Sequence, residues 1–163
     1  MDKKYIMAID QGTSGTRVIL FGHSGYVCSS AYREIKQIFA KPGWVEHDPY
    51  QYLDTVKVCA KEAIEKAKVH PGEIAAIGIT NQRETTILWD KDTGKPVNNA
   101  ICWQCRWSAA ICDDLKTKSY EEKVREKTGL VHYVNTHNQN RFIQNKFFPQ
   151  NNLLNLILFY VNI

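Results

Sequence analysis

What this chain lacks narrows its reading before any motif is considered. No stretch of about 18 apolar residues occurs, so a membrane-spanning helix and a membrane partner are not expected. The N-terminus, M-D-K-K-Y-I-M-A-I-D, has too short an apolar run for a secretory signal. Without one, the five cysteines Cys28, Cys59, Cys102, Cys105 and Cys112 read as free thiols of a soluble cytoplasmic protein. Strong charge of one sign is also missing. Twenty-one basic and 17 acidic residues leave a net +4, and Arg141 and Lys146 carry +2 of it in the last 33 residues. The remaining +2 is too small and too scattered for a nucleic-acid surface. No G-x-x-x-x-G-K-[ST] occurs, which excludes a Walker A loop. Cys102 and Cys105 form a C-x-x-C, but no second pair or nearby histidine completes a zinc site. His23, His47, His70, His132 and His137 have no ligand spacing and read as loop residues.

What is present begins with A-I-D-Q-G-T-S-G-T-R, Ala8 to Arg17. An apolar strand, Tyr5 to Ile9, runs into an acid and a turn rich in glycine and hydroxyls, then into a second strand, Val18 to Phe21. Such a turn leaves backbone N–H groups and short hydroxyls to surround a phosphate oxygen. Gly12 and Gly15 allow positive φ and close backbone approach. Asp10 suits a hydrated Mg²⁺ beside phosphates, and Arg17 adds fixed positive charge. An ordinary hairpin is the plain alternative, because D-x-G turns are common.

The 163 residues suit one α/β domain with a substantial core. Strands are predicted at Tyr5–Ile9, Arg17–Phe21 and Tyr26–Glu34, the last two paired through His23-Ser24-Gly25. After the loop K-P-G-W-V-E-H-D-P, Asp48 is predicted to cap a helix, with Pro49 at its first position and Gln51 completing a capping box. Leu53, Val56, Ala60, Ala63, Ile64 and Ala67 give it an apolar stripe, and Pro71-Gly72 stops it. The apolar run Ile74 to Thr80 predicts a strand covered on both faces. A hairpin of Thr85–Trp89 with Val97–Trp103 follows, then helices over 108–118 and 119–127, the second ending at Gly129.

Two further segments carry chemistry. In G-I-T-N-Q-R-E-T-T the strand ends in Asn81, Gln82, Arg83 and Glu84, where open α/β sheets place their ligands. Arg83 beside Glu84 offers donors and an acceptor to a substrate with several hydroxyls; a solvated turn with a surface ion pair is the alternative. In W-Q-C-R, Trp103 can grip the C–H side of a polyol or simply be a core or rim tryptophan.

D-Q-G-T-S-G-T-R, K-P-G-W-V-E-H-D-P, A-A-I-G-I-T-N-Q-R-E-T-T, T-G-K-P-V-x-N-A-I and W-Q-C-R stand in order over residues 1–131. In that order and spacing they resemble the N-terminal part of bacterial glycerol kinases, members of the carbohydrate kinase family. Strand–strand–strand–helix–strand–helix is also the element order of half of a ribonuclease-H/actin-like ATPase fold, here the first of two domains. The resemblance implies ATP-dependent phosphorylation of glycerol to glycerol 3-phosphate with Mg²⁺, by full-length relatives that are homo-oligomers. It implies that Gly12, Thr13, Ser14 and Gly15 line the phosphates of ATP or ADP, that Arg17 contacts ADP, and that Asp10 sits near Mg²⁺. Arg83 and Glu84 would bind glycerol hydroxyls and Trp103 its carbons. The family's tyrosine after T-G-L-V is Asn135 here, and its catalytic aspartate belongs beyond residue 163. No catalytic residue is therefore assigned.

From Val131 the composition changes. The last 33 residues hold eight Asn and no Gly, Ala, Asp, Glu or Ser. Residues 1–130 are expected to form a partial kinase domain. Residues 131–163 are expected to be a divergent tail read in a shifted frame from AT-rich DNA, the alternative being a genuine, unusual tail.

Overall fold

A computed structural model of the chain describes residues 4–118, 120–128 and 156–159. The chain forms two compact units, one from Met1–Gln37 and His47–Arg83, the other from Ile38–Glu46 and Glu84–Asn162.

In the first unit, alternating apolar residues build β1 (Tyr5–Gln11) and β2 (Gly15–Phe21), which pair antiparallel. β3 (Val27–Glu34) follows through Gly25 at φ 81°, a left-handed conformation that glycine adopts without strain. One face of these strands presents Met7, Ile9, Val18, Leu20 and Ala31 to a helix and forms the core with its Cys59 and Ala63. That helix, α1, spans Pro49–Ala67. Asp48 caps it by accepting the Tyr50 N–H at 2.9 Å, as expected. Gln51 does not complete a capping box; its side-chain carbonyl accepts the Lys36 N–H at 2.9 Å, so it ties the preceding loop to the helix instead. The buried stripe runs through Thr55, Cys59 and Ala63, while Leu53 is exposed. Lys68, in the left-handed region at φ 54°, ends the helix before Pro71 is reached. Pro71–Glu73 is a single 3-10 turn capped by His70.

β4 (Gln37–Ile38) and β5 (Glu46–His47) fall where the chain crosses between units. β6 (Ile74–Asn81) lies parallel to β1, giving a four-stranded sheet in the order β3-β2-β1-β6. The expectation that β6 is covered on both faces is wrong. Its interior residues are exposed, Ile77 at 58% and Ile79 at 60%. β6 is the edge of this sheet, and α1 lies over β2 and β3 at the other side.

In the second unit, Lys41-Pro42-Gly43-Trp44 is a tight turn with Gly43 at φ 77° and the Trp44 N–H on the Lys41 carbonyl. β7 (Ile87–Asp90) and β8 (Ala100–Ile101) are shorter than the predicted hairpin strands. Thr86 and Ile101 still exchange backbone hydrogen bonds, and Asp90 holds the turn by accepting from Thr93. Those bonds hold the Asp90 carboxyl below the usual carboxylate range. Val45, Leu88, Ile101, Cys102, Cys105 and Trp107 form a small core. α2 (Ala109–Thr117) and α3 (Tyr120–Thr128) match their predicted places, and Gly129 lies outside the described residues. Of the 131–163 tail only β9 (Leu156–Phe159) is described, its backbone antiparallel to β7. Asn135 lies outside the described residues. No helix among the described residues is long and apolar enough to cross a membrane.

Candidate functional site

The turn Gln11–Gly15 is closed by its own backbone, the Gly12 N–H donating to the Gly15 carbonyl at 2.9 Å. Neither glycine has positive φ, which corrects the sequence-based expectation. Close approach is what Gly15 supplies, and it is to β3. A Cβ there would stand 2.5 Å from the Arg33 carbonyl oxygen and nearer still to the Tyr32 hydroxyl. Ser14 anchors the turn from its carbonyl, which accepts the Ile35 N–H, and leaves its side chain exposed. Thr13 lies beside it, half-buried.

Asp10, one residue before the end of β1, stands opposite Arg17 on β2, so both side chains emerge on the same face, away from α1. Both are exposed, and neither makes an ion pair among the described residues. The Arg17 guanidinium lies over the Tyr32 ring, 5.5 Å from its centroid. A cavity of about 430 Å³ opens beside it, where Arg33 and Lys66 are both held by Glu62. Among the described residues, Arg17 is the cation of that cavity with no carboxylate partner.

Because β1 and β6 are parallel, their carboxyl ends lie side by side. The Gln82 N–H donates to the Gln11 carbonyl at 2.7 Å. Arg83, exposed, follows immediately and closes the first unit. The structure thus brings Asp10, Gly12, Thr13, Ser14, Gly15, Arg17 and Arg83 to one end of one sheet.

Glu84 and Trp103 belong to the second unit. Glu84 adopts φ 65°, a left-handed conformation that costs a glutamate about 1–3 kcal/mol and is frequent at ligand sites. Nothing in the sequence marked it. The Thr86–Ile101 bridge aligns the two segments, and the Trp103 N–H donates to the Thr85 hydroxyl at 3.3 Å. Trp103 keeps 41% of its surface exposed. Cys102 and Cys105 are buried, and burial pushes both thiols up in pKa, which disfavours thiolate chemistry. No cluster of three metal-ligating side chains occurs among the described residues.

His47 departs most from its expected loop role. It is fully buried, with Nδ1 hydrogen-bonded to the Tyr52 hydroxyl at 2.5 Å, and burial lowers its pKa. Its sequence neighbours, charged or polar on both sides, carry no apolar signal that could have revealed this.

The sequence profile of the FGGY family of carbohydrate kinases, N-terminal domain, matches residues 5–146. The chain belongs to that family. It is 60% identical over 128 residues to the glycerol kinase of Caldanaerobacter subterraneus subsp. tengcongensis, covering 78% of this chain and 26% of that protein. Glycerol kinase 2 of Thermotoga maritima is 58% identical over a stretch of the same length. This FGGY chain therefore spans about a quarter of the length of the curated relatives it matches. In structure it resembles Plasmodium falciparum glycerol kinase with ADP, at TM-score 0.85 and 26% identity over 99% of this chain and 33% of that one. Ligand-bound xylulose kinase from Lactobacillus acidophilus gives TM-score 0.80 at 26% identity over 90% of this chain and 29% of that one. The expected fold class is correct: this FGGY chain is an α/β part of the actin-like ATPase fold shared by carbohydrate kinases.

Proposed function

We propose that this chain is the N-terminal part of a kinase that transfers the γ-phosphoryl of ATP to a terminal hydroxyl of glycerol, giving glycerol 3-phosphate and ADP. The observation that carries the reading is the Gln82–Gln11 hydrogen bond, which sets the phosphate turn beside the strand end bearing Arg83. The identity to glycerol kinases supports glycerol over other polyols. Thr13, Ser14 and Gly15 would line the phosphates, and Arg17 would hold ADP charge. Asp10, a single hard carboxylate, suits a Mg²⁺ that takes its other ligands from phosphate oxygens and water. Mg²⁺, when bound, would neutralise phosphate charge. Arg83 and Glu84 would fix the glycerol hydroxyls and Trp103 would pack on its carbons. Positioning and electrostatics carry most phosphoryl transfer, so these residues would bind and orient rather than react.

A second reading is favoured by the quarter-length match: a non-catalytic piece that binds glycerol or phosphate weakly. Glycerol has six heavy atoms, and even the best tiny ligands reach only about 1.5 kcal/mol per atom. The expected result for the purified 163-residue chain is glycerol binding in the millimolar range or weaker, with no glycerol 3-phosphate formed. A coupled assay with ATP, Mg²⁺ and glycerol separates the two readings. Turnover that is lost in Asp10→Ala supports an active kinase and overturns the non-catalytic one. Arg83→Ala should abolish whatever glycerol binding is measured; binding at the parent affinity would refute its assigned role.

A further inference from the structure

α1 sends two polar side chains, Tyr52 and Thr55, toward the carboxyl end of the sheet. Thr55 meets the fully buried Thr16 hydroxyl at 2.6 Å, and Thr16 donates to the Gln11 side-chain carbonyl at 3.0 Å. Tyr52 meets His47 on one side and accepts the Gln82 side-chain N–H at 2.8 Å on the other. Gln82 in turn joins Gln11 through its backbone. With Gln82 donating to the Tyr52 oxygen, the phenol proton is available to His47 Nδ1, an assignment that makes the imidazole the tautomer protonated at Nε2. A neutral imidazole fits the burial that lowers the pKa of His47. Among the described residues, Gln11 Nε2 and His47 Nε2 find no hydrogen-bond partner, a cost that a purely apolar packing of these positions would avoid.

A part-buried polar chain is therefore kept at the base of the segment that carries Arg83. We propose that His47, Tyr52 and Gln82 are positioning residues: they touch no substrate but hold the end of β6 so that Arg83 meets a polyhydroxyl ligand in one orientation. This rests on the reading of Arg83 given above. Among the described residues the phenol is the middle link, bonded to the imidazole on one side and to the amide on the other. Removing its hydroxyl removes the bond from the Gln82 side chain while the ring still packs edge-on to His47, at a centroid distance of 5.6 Å.

The test uses the 163-residue chain and Tyr52→Phe, compared by amide hydrogen exchange and by glycerol titration followed at the Arg83 Nε–Hε resonance. Gln82 amide exchange should rise at least tenfold in Tyr52→Phe while Leu20, in the centre of β2, keeps its rate. Glycerol affinity should fall at least threefold. Ile64→Val, a change in the same helix that packs on the core away from the polar chain, should leave both Gln82 exchange and glycerol affinity at the parent values. Should Tyr52→Phe fail to fold, Gln82→Leu removes the same bond from the other end and should show the same local loss at Arg83. An unmoved Gln82 amide in Tyr52→Phe overturns the proposal whatever glycerol does. Faster exchange with glycerol affinity unchanged overturns it too, because the chain would then only stabilise the strand. If glycerol shifts no resonance in the parent chain, the polyol reading of Arg83 fails separately, and the exchange rates still decide whether the chain holds β6.

Discussion

Two residues show how a side chain's role is set by what it is pressed against. Gly15 stands where β2 and β3 nearly touch, and a methyl group there would collide with backbone, which cannot move aside cheaply. Gly15→Ala is expected to cost about 1–3 kcal/mol, read as a lower urea midpoint at an unchanged slope. His47 is held neutral by burial, its pKa below the usual value of about 6.5. In the window between its folded pKa and about 6.5 the unfolded chain binds more protons, so stability rises with pH there. The contribution of His47 is complete above about pH 6.5 and is lost as pH falls through the folded pKa. Urea midpoints at pH 7.5, 6.5 and 5.5 should decline in that order, with a smaller decline in His47→Gln. An equal decline in both would show that other groups govern the acid limb.

At the scale of elements, local signals placed helix and strands well and their faces less well. Asp48 and Pro49 sit where a helix must start, and α1 starts there. Which of its faces is buried depends on the sheet it meets, so Thr55, Cys59 and Ala63 went inside and Leu53 stayed out. The apolar run of β6 was read as doubly covered, yet it forms an exposed edge. Ile79→Lys is accordingly expected to change stability by no more than about 0.5 kcal/mol, as at other surface positions. The added charge should also reduce self-association through the edge, measured by light scattering at high concentration. A loss of several kcal/mol would mean that β6 is buried in solution.

At the scale of the whole molecule, the family assignment and the tail pull in different directions. The family profile extends to residue 146, whereas the matches at about 60% identity cover only 128 residues. The absence of Gly and acids after residue 130 carries the proposal that the reading frame changes near residue 131, while the reach of the profile to residue 146 counts against it. Sequencing the DNA through that codon and beyond, in three frames, should restore a tyrosine-containing segment and a second kinase domain. If no frame does so, the tail is genuine and the proposal fails.

The sequence by itself determined the strand–turn–strand at Asp10 to Arg17, the helix cap, the family, and the residues proposed to meet phosphate and glycerol. These follow from chemistry that is local: a turn needs small residues, a cap needs an acceptor, and a motif is a string of neighbours. Only the tertiary structure decided that Gly15 serves β3, that β6 is an edge, that Glu84 is left-handed, and that His47 is buried behind Tyr52 and Gln82. The first and last of these depend on groups distant in sequence coming within a few ångströms, and the edge position of β6 depends on no such group covering it. His47 and Gln82 are 35 positions apart, and nothing in either segment states that α1 will join them.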